Sequence, residues 1–159
     1  MSVIFRAITY ATLFIGFMFI YLPARVMSWA GVPHPAAMAW QQIAGAVMGS
    51  AGAVLALWCV AVFVRIGKGT PAPFDPPRLL VIRGPYRFVR NPMYLGAGLA
   101  LAGAALCYAS MALLVYGGIF LLAAHLVVVL YEEPALRRNF GPDYETYCRS
   151  VRRWWPGPV

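Results

Sequence analysis

Apolar residues in this chain fall in long unbroken runs rather than in the one-sided stripes of a helix that rests on a soluble core. Val3 to Leu22 is uncharged apart from Arg6, and Ile43 to Val64 carries no charge. Met93 to Tyr131 extends for 39 residues without Asp, Glu, Lys or Arg. About 20 apolar residues in a helix match the ~30 Å hydrocarbon core of a bilayer. The third run coiled as one helix would reach ~58 Å, so it is expected to fold back near Cys107-Tyr108-Ala109-Ser110. The pattern predicts an all-α polytopic membrane protein with four transmembrane helices.

Between the runs lie segments that cannot continue a helix. The 23–42 loop holds Pro23, Pro33 and Pro35, with Trp29 and Trp40 placed as interfacial anchors. Gly67 to Pro77 is rich in proline, which removes backbone donors and forces extended neighbours. Leu79-Leu80-Val81-Ile82 then reads as an extended apolar segment lying against the bundle. Asn91 is expected to cap the next helix, with Pro92 at its first position, and that helix's dipole would favour a carboxylate there. After Glu133, Pro134 should bend or restart the helix. Leu136 with Phe140, then Tyr144, Tyr147, Cys148 and Val151, trace two amphipathic helices that would form a C-terminal interfacial lid. Gly45, Gly49 and Ala53, repeated by Gly98 and Ala102, are small-residue stripes read as packing seams within the bundle.

Composition supports the bilayer as solvent. The 159 residues are 62% hydrophobic and 11% charged, against about 25% charged in soluble domains. With four spans, the N-terminus, the 65–92 loop and the C-terminal tail share one side, which then holds every basic residue except Arg25. Asp75, Glu132, Glu133, Asp143 and Glu145 fall there too. Lys and Arg stay cytoplasmic during insertion, so both termini and the polar cluster are expected inside. The net charge of +8 is explained by that orientation and by anionic headgroups, and no nucleic-acid motif accompanies it. The first run lacks a clear cleavage site before Pro23 and is read as a span. Cys59, Cys107 and Cys148 fit neither metal spacing nor a disulfide framework. A single domain, 1–159, is expected, with its polar, site-bearing part at about 66–155.

Two stretches collect the polar groups that the rest of the chain lacks. One is Gly84-Pro85-Tyr86-Arg87, followed by Arg90-Asn91-Pro92-Met93-Tyr94; the other starts at Glu132-Glu133 and runs to Arg152-Arg153-Trp154. Carboxylates near a membrane interior are costly and face a partner or a cavity. Glu132 and Glu133 either bound a ligand site or mark the helix exit by pairing with Arg137 or Arg138. His125 lies seven residues before Glu132, on the same helix face. It either makes an interhelical hydrogen bond or lines a substrate cavity. Tyr86, Tyr94, Arg87 and Arg90 satisfy an aromatic belt and the positive-inside rule, which leaves their fixed order unexplained.

These two motifs resemble those of the integral-membrane methyltransferases that include isoprenylcysteine carboxyl methyltransferases and phospholipid N-methyltransferases. The resemblance covers roughly Arg78 to Trp154. It implies S-adenosylmethionine as cofactor, held by Asn91, Pro92, Met93 and Tyr94, by Tyr86 before them, by Glu132 and Glu133, and by the segment Arg78, Leu79, Leu80 and Val81. Glu132, Tyr94 and Asn91 would carry the catalytic roles; His125, by its position inside a span rather than by the resemblance, is the candidate substrate contact. Asn91 stands where the family has histidine, and Arg78 where some members do. Val128 stands where carboxyl methyltransferases carry a substrate-binding arginine. No Gly-x-Gly-x-x-Gly occurs, so a soluble dinucleotide-type fold is excluded.

The function expected is transfer of a methyl group from S-adenosylmethionine to a lipophilic acceptor in the bilayer, in the manner of an isoprenylcysteine carboxyl methyltransferase. A phospholipid amine-headgroup N-methyltransferase is the alternative. An NADPH-dependent sterol-reductase-like protein or a non-catalytic membrane module are further ones. The partners implied are a membrane lipid and the bilayer, without a metal.

Overall fold

The computed structural model describes residues 12–33, 35, 38–67 and 79–156, together with Phe5 and Thr9. Arg78 and the proline-rich 68–77 segment lie outside the described residues. Every regular element among the described residues is helical. We number the helices α1 (Thr12–Trp29), α2 (Trp40–Gly67), α3 (Pro92–Cys107), α4 (Met111–Phe140) and α5 (Pro142–Ser150).

Three helices, not the four expected, are long and apolar enough to cross a membrane: α1, α2 and α4. The exception is α3, whose 16 residues span ~24 Å, short of the ~30 Å hydrocarbon core. Local chemistry sets its length. Pro92 starts the helix, and a turn at Tyr108-Ala109 ends it, with Ala109 at a φ of 46°. Ser110 then caps α4 by accepting a hydrogen bond from the Leu113 N–H at 3.2 Å. The fold-back falls where the sequence placed it, but the two helices share the run unequally. Helix α4 takes 30 residues and passes through Glu132, Glu133, Arg137 and Arg138 before it stops at Phe140. An uncharged run therefore overstates the helix before the turn and understates the one after it.

Helix α3 lies between α2 and α4 and is the most buried of the set, with Pro92, Ala97, Leu101 and Ala105 inside. Its antiparallel contact with α2 is backbone against backbone. A Cβ added at Gly45 would come within 2.5 Å of the Cys107 N, and one at Gly52 equally close to the Ala100 N. A Cβ at Gly103 would run into the Gly49 backbone. The stripe read from the sequence is thus a packing seam, carried by Gly45, Gly49 and Gly52; Ala53 faces outward. Without side chains between them, the helices gain dispersion contact that lipid cannot supply. On the other side Gly98 receives the Leu121 side chain of α4. Helix α1 joins through α4: Phe19 and Phe120 meet edge to face at 5.4 Å, and the Tyr116 hydroxyl donates to the Met18 carbonyl at 2.7 Å.

Near its exit α4 widens into a π turn over Val128–Glu132, where the Glu133 N–H bonds to the Val128 carbonyl. Pro134 follows and offers no N–H to the preceding turn; the wider turn accommodates that missing bond. The proline therefore bends the backbone locally without ending the helix. Gly141 then reverses the chain at a φ of 48°, a conformation that disfavours a Cβ. Helix α5 returns, burying Tyr144, Tyr147 and Val151 against Leu80, Leu136 and Phe140.

Candidate active site

All the motif residues that the structure describes gather at one end of the bundle, where α2 ends, α3 begins and α4 leaves. The 79–82 segment has no helical turn, and its side chains diverge. Val81 is buried with Cys59 and Tyr86, Leu80 packs on Tyr144 and Tyr147, and Leu79 is half exposed. Gly84–Arg87 forms a single 3-10 turn opened by Pro85. Its Gly84 has a φ of 60° and presses on Val62, which seats the turn on α2. Tyr86 is thereby buried, and its backbone carbonyl accepts a hydrogen bond from the Tyr147 hydroxyl at 2.7 Å. Burial pushes the Tyr86 phenol well above its usual range.

Asn91 occupies the position before α3, but its side chain does not cap the helix. It donates instead from Nδ2 to the Arg153 carbonyl at 3.3 Å. Pro92 sits at the first helical position as expected and is fully buried. Met93 packs with Cys59, Val81 and Tyr86. Tyr94 turns the other way: its hydroxyl donates to Glu132 Oε1 at 2.5 Å. This bond joins the first turn of α3 to the π turn of α4. Both residues are half-buried, in surroundings where an ionic hydrogen bond is screened little by water.

The adjacent acids part company. Successive helical residues point ~100° apart, so Glu132 faces α3 while Glu133 faces the C-terminal tail. Glu133 is 3% exposed. Arg153 grips it with two bonds, Nε to Oε1 at 2.7 Å and Nη2 to Oε2 at 2.9 Å. Arg90 adds a contact from Nη1 to Oε1 at 3.3 Å and also donates to Cys148 Sγ at 2.7 Å. The sequence offered Arg137 or Arg138 as partners of the pair; Arg137 instead bonds Glu145 in the open, at 2.8 Å.

His125 accepts a hydrogen bond from Trp154 Nε1 at 3.2 Å, so the tail, rather than a neighbouring span, supplies its partner. Of the expected site residues, the structure brings Tyr94 and Glu132 into contact and sets Tyr86, Asn91 and Glu133 around them on tail bonds. Leu79 stays outside, and Arg78 is not described. Arg153, Tyr147 and Trp154 were read only as members of the second stretch and of the lid face, without roles at the site. The one usable signal was a buried carboxylate that needed a counter-ion, and the chain has too many arginines nearby to choose among them.

With three membrane-length helices and its polar groups gathered at one bundle end, the protein is an integral multi-pass membrane protein. A family model described as phospholipid methyltransferase matches residues 40–143, well over half the chain, and the chain belongs to that family. It is an S-adenosylmethionine-dependent methyltransferase acting on a lipid in the membrane. The match favours the phospholipid branch over the carboxyl methyltransferase reading that the sequence put first. No curated protein and no solved structure matches the chain.

The residues present fit the cofactor's chemistry. S-adenosylmethionine offers a sulfonium, an ammonium and ribose hydroxyls, and the half-buried Glu132 carboxylate, oriented by Tyr94, suits any of them. The first turn of α3 adds the partial positive charge of a helix start at the same end.

Proposed function

We propose that the chain methylates the amine headgroup of a phospholipid, with Tyr94 and Glu132 at the heart of the cofactor site. The observation that carries this reading is the Tyr94–Glu132 bond, which lies inside the family-matched residues and joins both sequence motifs. When bound, S-adenosylmethionine supplies an electrophilic methyl group for in-line displacement by the acceptor nitrogen. Such a reaction depends mainly on alignment. Tyr94 holds Glu132 in one orientation, so the carboxylate meets a cationic partner without first reorganising. Asn91, Pro92 and Met93 fix the start of α3 and with it the tyrosine. Tyr86 and Val81, buried together, wall the site from α2.

The absence of a cation at Val128, buried one turn before the glutamate pair, supports an amine acceptor over a carboxylate, which would need a counter-charge there. The arginines at this end, against Arg25 near the far end of α1, support a cytoplasmic site. The lipid would reach the site sideways from the inner leaflet.

The test is to supply the purified protein with methyl-labelled cofactor in nanodiscs of phosphatidylethanolamine, of phosphatidylcholine, and of phosphatidylcholine carrying a farnesylcysteine. Label in base-stable N-methylated phosphatidylethanolamine is expected. Label confined to a base-labile ester of farnesylcysteine would contradict the amine acceptor.

A further inference from the structure

The geometry points to a division of labour within the Glu132–Glu133 pair. Glu132 serves the ligand, whereas Glu133, gripped by Arg153 and Arg90, is a positioning residue that straps the C-terminal tail across the site. This inference rests on the reading of Tyr94 and Glu132 as the cofactor's partners and adds a device on which their alignment depends.

Glu133 is already engaged before any cofactor arrives. It is almost wholly buried, both its oxygens accept from Arg153, and Arg90 forms an ion pair with Oε1. An uncompensated carboxylate at the end of a membrane helix is strongly disfavoured, so the arginines answer a need that exists before any ligand arrives. Arg153 reaches Glu133 from the end of the chain, and its neighbours repeat the attachment. The Arg152 carbonyl accepts from the Arg90 N–H at 2.9 Å, the Arg153 carbonyl accepts from Asn91 Nδ2, and the Trp154 indole donates to His125. Three consecutive tail residues therefore bond to the residues just before α3 and to α4. Those are the elements that carry Tyr94 and Glu132.

The strap thus fixes the two halves of the Tyr94–Glu132 bond relative to each other. The family match ends at residue 143, so Arg153 and Trp154 lie beyond it. Arg90 is the weaker of the two arginines. It divides itself between Glu133 and Cys148, and its Nε is buried without a hydrogen-bond partner.

Cys148 gives a readout that needs no cofactor, because its thiol is half-buried and bonded to Arg90. The experiment compares full-length wild type with Glu133→Gln, Arg153→Ala and the double variant. It measures maleimide labelling of Cys148 by peptide mass spectrometry and binding of S-adenosylmethionine by calorimetry. Each single change should raise Cys148 labelling about tenfold or more and weaken binding about tenfold, as loss of a charged hydrogen bond would. The double variant should be no worse than the worse single one, since both remove the same clamp. Arg153→Lys, which keeps the charge but not the two-pronged grip, should fall between, and it serves if Arg153→Ala does not fold. Arg149→Ala, on the exposed side of α5, should match wild type.

Weakened binding in Glu133→Gln with Cys148 still protected, and normal binding in Arg153→Ala, would make Glu133 a direct ligand and overturn the proposal. Unchanged binding in Glu132→Gln would strike the site reading itself. That failure is separable, because Cys148 protection does not involve the cofactor.

Discussion

Helix α3 is held along its length by α2 and at its start by the C-terminal strap, and the two contacts use different physics. Along α2 the surfaces are glycine against backbone, dry and free of charge, and close approach itself is the interaction. At the strap, one buried carboxylate meets two arginines, and backbone carbonyls of the tail bond to Arg90 and Asn91. At Gly45, Gly52 and Gly103 the seam tolerates no added atom, but it has no charge to unbalance. The clamp would tolerate a change of shape but not the loss of one partner. A fixed scaffold therefore runs the length of the helix, and an ionic fastening sits at its start, beside Tyr94 and Glu132.

The largest effect should come from unbalancing the clamp. Glu133→Ala leaves Arg90 and the partly exposed Arg153 facing no counter-charge, and ~3 kcal/mol of stability should be lost. Thermal unfolding in detergent measures it, and a loss below that of an exposed pair would show that the clamp is not buried in the working protein. The seam comes next. Gly103→Leu forces a side chain into the Gly49 backbone, and overpacking of this kind costs ~2 kcal/mol. By contrast Gly118→Ala, which meets open space, should unfold at or slightly above the wild-type temperature.

Alkaline pH probes the phenols buried at the clamp end of the bundle. Burial raises the phenols of Tyr86, Tyr144 and Tyr147 above their usual range. Below pH ~10 they are neutral in both folded and unfolded chains, and their contribution is fully present. Above it the unfolded chain ionises first, so stability should fall by up to ~1.4 kcal/mol per pH unit for each buried phenol. Tyr147→Phe should flatten that decline, as followed by unfolding between pH 8 and 11.5. The smallest effect belongs to the pair Arg137–Glu145, whose side chains are 51% and 45% exposed. Removing it by Arg137→Ala should leave the unfolding temperature indistinguishable from wild type.

The seam was legible in the sequence because small residues at helical spacing have one dominant use in a membrane helix. The start of α3 was legible for a similar reason, since Pro92 has few other places to sit. The span count was not. The Pro92 start and the turn after Cys107 were both in view and leave 16 residues, fewer than a crossing needs, but the length of the charge-free run masked that shortfall. Of the site, the meeting of Tyr94 with Glu132 could be anticipated from the two motifs, whereas the separation of Glu132 from Glu133 could not. That separation depends on which arginine arrives, and Arg153 is distinguished from Arg137, Arg138, Arg149 and Arg152 only by where the tail folds. His125 shows the same limit, because its partner Trp154 comes from the tail.

Titration of S-adenosylmethionine into wild type and Glu132→Gln tests the assignment of the site most directly. Loss of the carboxylate's charge should weaken binding at least ~10-fold, while the variant remains folded and keeps Cys148 protected. Equal affinity in the two proteins would contradict the placement of the cofactor at Tyr94 and Glu132.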